Sequence, residues 1–114
     1  MADTDLKAVR EHYARLRELV IHNSGGWNDA GSRAEVERLC RAGMAALDDA
    51  ECRERLRAVQ AQARDLFSED GHVKWGRKNV SGADYLRLQI LIALEALNTR
   101  LFSIDTLRSR AAVQ

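Results

Sequence analysis

Gly82-Ala83-Asp84-Tyr85-Leu86-Arg87-Leu88-Gln89-Ile90-Leu91-Ile92-Ala93-Leu94-Glu95-Ala96-Leu97-Asn98-Thr99-Arg100-Leu101-Phe102 is the stretch that decides the fold class. At about 100° per residue, its apolar side chains cover an arc of about 200°, from Ile92 and Tyr85 through Leu86, Ile90, Leu97 and Leu101 to Leu94. A helix lying on a protein surface needs about half of that arc. Leu88, Leu91 and Phe102 fall inside the remaining polar arc, among Asp84, Arg87, Glu95 and Asn98. Two explanations follow. Either the rest of the chain wraps this helix on most sides, or the helix contributes to an interface, where apolar and aromatic residues concentrate.

Upstream, Leu6, Val9, Tyr13, Leu16 and Val20 are spaced alternately by three and four, which predicts a first helix over 4–23. Ser24 to Gly31 breaks it, because its three glycines favour backbone angles that a helix does not use. Ser32 with Glu35 reads as a capping box opening a second helix over 33–47, with the seam Val36, Leu39, Cys40, Met44 and Leu47. Gly43 lies on that seam; it costs the helix about 1 kcal/mol against alanine but admits a close neighbour. Asp48 or Asp49 caps a third helix over 49–67, seamed by Cys52, Leu56, Val59, Ala63 and Leu66, so the second and third helices form a tight antiparallel hairpin. A loop over 68–80 precedes the cap-like Ser81 and a fourth helix over 82–102. Ser103 then caps a short fifth helix, Ile104 to Ala112.

The expectation is an all-α chain, a single domain over 1–114, built as an up-down four-helix bundle with an appended C-terminal helix. Composition agrees: 114 residues, 46% apolar, 5% aromatic and no proline. The longest uninterrupted apolar run, Ile90 to Leu94, is far short of the roughly 20 residues of a membrane span, so no membrane is expected. The polar, acidic start Met1 to Asp5 lacks the pattern of a secretory signal, which points to the cytoplasm.

Net charge is only +1, so no long-range field gathers nucleic acid, although 15 of the 18 basic residues are arginine, the side chain suited to forked contacts with carboxylate and phosphate. An up-down bundle brings its first and third connections to one end. His22, Trp27, Asn28 and Asp29 would there meet His72, Lys74, Trp75, Arg77 and Lys78. The two tryptophans either plug that end or stack on a ligand. Lys74-Trp75-Gly76-Arg77-Lys78 combines cations with an aromatic ring, the chemistry of single-stranded nucleic-acid binding, but short basic loops are common and solvated loop charge is the simpler account. On the third helix Arg53, Arg57, Gln60 and Arg64 share a stripe within about 60°, which calls for an anion opposite: phosphate, or a carboxylate such as Glu35, Glu37 or Glu95.

Catalytic signals are sparse. The histidines and cysteines show no metal-ligand spacing, and the single ExxH, Glu69 to His72, sits in a glycine-containing loop, so neither metal nor cofactor is expected. Cys40 and Cys52 lie on seams at levels that do not oppose each other, and both read as buried free thiols. His22 with Asp29 or His72 is the only acid-base grouping.

Beside an enzyme built on that grouping, two functions are read from the sequence. The first is a non-enzymatic assembly or adaptor subunit that docks a second copy or a larger protein partner through Leu88, Leu91, Phe102, Ile104 and Leu107. The alternative is a nucleic-acid-binding subunit for RNA or single-stranded DNA, in which Arg53, Arg57, Arg64, Lys74, Arg77 and Lys78 grip phosphates and Trp75 stacks on a base.

Overall fold

The structure is a computed structural model that describes residues 3–22, 29–76 and 79–113. It is helical throughout its main elements: α1 (Asp3–Ile21), α2 (Ala30–Ala46), α3 (Ala50–Leu66), α4 (Glu69–Trp75) and α5 (Gly82–Val113). The expected seams are the core. Leu6, Val9, Leu16 and Val20 of α1, Val36, Leu39 and Cys40 of α2 with Leu47 just beyond it, and the whole α3 seam are buried. They meet Leu86, Ile90, Ala93, Leu94, Leu97, Leu101 and Ile104 of α5. Tyr13 and Met44 are partly buried against the same cluster.

Three expectations need correction. There is no separate fifth helix: α5 is one helix of 32 residues running through Ser103, whose hydroxyl donates to the Thr99 carbonyl one turn back instead of capping a new start. The region over 68–80 is not all loop, because Ser68 caps the seven-residue α4, accepting from the Gly71 amide at 3.4 Å. Ser32 is not the cap of α2. Asp29 holds that position, its carboxylate accepting from the Ser32 amide at 3.0 Å and the Ser32 hydroxyl at 2.6 Å, so α2 starts at Ala30 instead of 33.

The molecule measures 55 × 26 × 21 Å, and α5, about 48 Å long at 1.5 Å per residue, sets the long dimension. α1 packs on α2 and α5, α3 packs on α2 and α5, and α4 sits against α3 and α5. Ion pairs fix where each helix lies along α5. Asp5 pairs with Arg108 at 2.9 Å, Arg10 with Asp105 at 3.2 Å, and Tyr13 donates to Glu95 at 2.7 Å, so α1 runs against the C-terminal half of α5. Asp49, the cap of α3, accepts from Arg100 at 2.9 Å, and Asp65 near the other end of α3 accepts from the indole of Trp75, which stacks on Tyr85. α3 therefore lies beside the N-terminal part of α5, offset from α1.

Two glycines bring α4 into backbone contact with its neighbours. A Cβ on Gly71 would stand 2.1 Å from the Asp65 carbonyl oxygen, and one on Gly82 would stand 2.1 Å from the His72 carbonyl oxygen. Gly43 shows the close approach read from the seam, with Leu56 Cδ1 2.9 Å from where its Cβ would be. Cys40 and Cys52 are free and buried, and desolvation pushes each thiol up to about 12.

Gly71→Ala and Gly82→Ala are expected to destabilise by about 1–3 kcal/mol or more, because rigid backbone must move. Gly31→Ala, whose Cβ meets only Asp29 Oδ1 at 3.8 Å, is expected to be neutral or mildly stabilising in the same urea titration. A second expectation concerns acid. Arg100, and then the amide of Cys52, hold the Asp49 carboxyl well below the ordinary range. A carboxyl lowered in the folded chain stabilises it fully above the unfolded value near 4 and loses that contribution as pH falls through the folded value. Asp49→Asn is therefore expected to be less stable than the parent by about 1–3 kcal/mol at neutral pH, with the gap closing progressively below about pH 4.

Candidate functional site

The side of α5 opposite the core carries a second periodic row. Leu88, Ile92, Glu95, Thr99, Phe102 and Thr106 advance by four and three residues alternately and fall within an arc of about 80°. Leu88 is 56% exposed, Ile92 55% and Phe102 68%. Glu95 is drawn toward α1, accepting from the Tyr13 hydroxyl at 2.7 Å and pairing with Arg17 at 3.6 Å. Of the five residues expected at an interface, Leu88 and Phe102 lie on this row, and Leu107, also exposed, stands about a quarter turn round from it. Leu91 is half-buried and packs against the core. Ile104 is only 9% exposed: once α5 continues past Ser103, the position three residues after Leu101 turns inward. It belongs to the core and is not available to a partner. Ile92 was missing from the expected set because it sits at the edge of the 200° arc that reads as buried.

The arginine stripe on α3 finds its anions inside the chain. Glu37 of α2 accepts from Arg64 Nε at 2.6 Å and Gln60 Nε2 at 2.8 Å, and these contacts, Arg64 first, hold its carboxyl below the usual value. Arg53 pairs with Asp48. Arg57 is exposed and makes no ion pair among the described residues. Trp75, the last residue of α4, is anchored by three contacts. Its Nε1–H donates to Asp65 Oδ2 at 2.7 Å, it stacks on Tyr85 with centroids 5.3 Å apart, and Lys74 Nζ lies 5.1 Å from its ring centre. Trp75 therefore packs onto the body of the chain. Arg77 and Lys78 lie outside the described residues.

The acid-base grouping is spent on local structure. Asp29 is the α2 cap, its carboxyl lowered by the Ser32 hydroxyl and amide. His72 donates from Nε2 to the Leu66 carbonyl at 2.6 Å, tying α4 to the end of α3. His22 is exposed at the turn after α1, and Trp27 and Asn28 lie outside the described residues. Among the described residues no three His, Cys, Asp or Glu side chains converge as a metal site would require, and no helix is long and apolar enough to cross a membrane. One open hollow of about 490 Å³, unsuspected from the sequence, lies where α1 meets α5, between Leu6, Arg10, Ala14 and Asp105. Neither a family model nor a curated protein nor a solved structure matches the chain.

If the stripe is neutralised internally, its members differ in worth. Arg64→Ala is expected to destabilise by about 1 kcal/mol, since it strips the strongest partner from the half-buried Glu37, whereas Arg57→Ala is expected to fall within about 0.5 kcal/mol of the parent in chemical denaturation.

Proposed function

We propose that the chain is a non-catalytic assembly subunit that docks another protein through the outward face of α5, with α1, α2, α3 and α5 forming an up-down-up-down bundle beneath that face. The bundle is supported by the contacts that join the four long helices in a cycle, α1 to α2, α2 to α3, α3 to α5 and α5 back to α1. An antiparallel sense of α1 on α5 is supported by Asp5 pairing with Arg108 while Tyr13 reaches Glu95, and of α3 on α5 by Asp49 pairing with Arg100 while Asp65 reaches Tyr85 through Trp75.

The observation that carries the docking reading is the exposure of Leu88, Ile92 and Phe102 along one side of a helix whose other side is the core. Fully burying such a side chain is worth about 1.5–3 kcal/mol, so covering the unburied half of these three supplies a few kcal/mol without any new hydrogen bond. Apolar rows of this kind on a monomer's surface mark interaction sites. A phosphate-gripping function draws less support, because Arg53 and Arg64 are paired with carboxylates and Trp75 is stacked on Tyr85. Within that stripe Arg57 alone makes no ion pair among the described residues.

The test is the native mass of the protein in an extract of its own cells. The intact chain is expected to migrate well above 12.8 kDa. Leu88→Glu with Phe102→Glu, both at exposed positions, is expected to keep the parent's helicity and melting temperature yet migrate as the isolated chain. Unchanged migration of that variant would refute the docking face.

A further inference from the structure

The docking face is self-complementary, and we propose that its occupant is a second copy of this chain, packed antiparallel along α5. This rests on the docking reading above and names the partner. The row on α5 is polarised. Asp84 stands at its start, exposed and engaged only by Arg87 one turn away at 3.2 Å, while Arg110 stands near its end and makes no ion pair among the described residues. Both fall within about 40° of the line of Leu88 and Thr106. A two-fold axis level with Leu97 brings Ile92 of one copy against Phe102 of the other, twice, and Asp84 against Arg110, twice. Leu88 then meets Thr106, and Glu95 meets Thr99 instead of its own counterpart.

A parallel pairing at the same register would set Asp84 on Asp84, Glu95 on Glu95 and Arg110 on Arg110, a like-charge arrangement that antiparallel packing avoids. The alternating spacing of four and three is the 3.5-residue repeat that keeps two helices in contact over distance. From Asp84 to Arg110 the contact would run for about 39 Å. A surface serving an unrelated protein has no need to match its own reverse; a two-fold interface must. Arg110 is also far from the groove between α1 and α5, where Arg10 and Arg108 find acidic partners, so the second copy supplies a carboxylate that its own chain does not.

Sedimentation equilibrium of the intact purified chain, from low micromolar concentration upward, is expected to show twice 12.8 kDa. Phe102→Glu is expected to remain monomeric with its helicity unchanged. Asp84→Arg should raise the dimer dissociation constant roughly ten-fold, since two exposed ion pairs become two repulsions, and Asp84→Arg with Arg110→Asp should restore it. Orientation is read by cysteine cross-linking under a mild thiol oxidant. Ile92→Cys mixed with Phe102→Cys is expected to form a mixed disulfide dimer, whereas neither variant should link to itself; Cys40 and Cys52 are buried and stay silent. Self-linking at 92 and 102 would overturn the antiparallel arrangement. A strictly monomeric pure protein that still migrates as a larger species in the extract would overturn the second copy while leaving the docking face intact. A pure dimer indifferent to Phe102→Glu would overturn both.

Discussion

One carboxylate, that of Asp49, sets the level at which the hairpin of α2 and α3 meets the long helix. It accepts from the Cys52 amide at 3.0 Å, which ends the exposed backbone at the start of α3, and from Arg100 at 2.9 and 3.2 Å, which anchors that start against α5. A charge held by a helix N-terminus and a forked guanidinium together is strongly stabilised in place. Because α3 begins there, the part of α5 beyond Arg100 has α1 beside it but not α3. Leu107 is exposed for that reason, whereas Ile104 stays within the core cluster.

The other end of α5 is governed by backbone contact. α4 is short and would not persist alone, since a helix of seven residues closes few hydrogen bonds against a costly nucleus. It is held by the Ser68 cap, by His72 on the Leu66 carbonyl, by Trp75 between Asp65 and Tyr85, and by two glycines that let main chain touch main chain. His72 and Trp75, read from the sequence as parts of a binding loop, thus act as a clasp joining the end of α3 to the start of α5.

Much of this was legible in the residues. The seams of α1 and α3 appear as buried stripes, Gly43 admits Leu56, and both cysteines are buried thiols. What escaped has local causes. Serine at 103 has the identity of a cap, but with no glycine or proline nearby the helix passes through and the hydroxyl turns back to Thr99. Gly71 has the identity of a helix breaker, yet here its missing Cβ makes room for Asp65. Ser32 and Glu35 fit a capping box, while Asp29 three residues before Ser32 takes the cap and Glu35 pairs with Arg15 of α1 at 3.0 Å. For the candidate site, the row Leu88 to Phe102 was visible, but periodicity alone could not say which edge of a 200° apolar arc would stay uncovered. Ile92 was missed for that reason, whereas Ile104 was misplaced by the break read at Ser103. The partner of the arginine stripe was equally open, because Glu35, Glu37 and Glu95 are alike as letters and only packing selects Glu37.

The pairing of α1 with α5 also orders the cost of assembling the chain. Asp5 and Arg108 are 103 residues apart in sequence, whereas Glu37 reaches Gln60 and Arg64 across 23 and 27. Loop-closure entropy favours the nearer partners first, so the α2–α3 hairpin is the inexpensive nucleus and the meeting of the two distant helices is the late event. With no proline in the sequence, no slow peptide isomerisation intervenes between those stages. In that order the Asp5–Arg108 and Arg10–Asp105 pairs are the last to close.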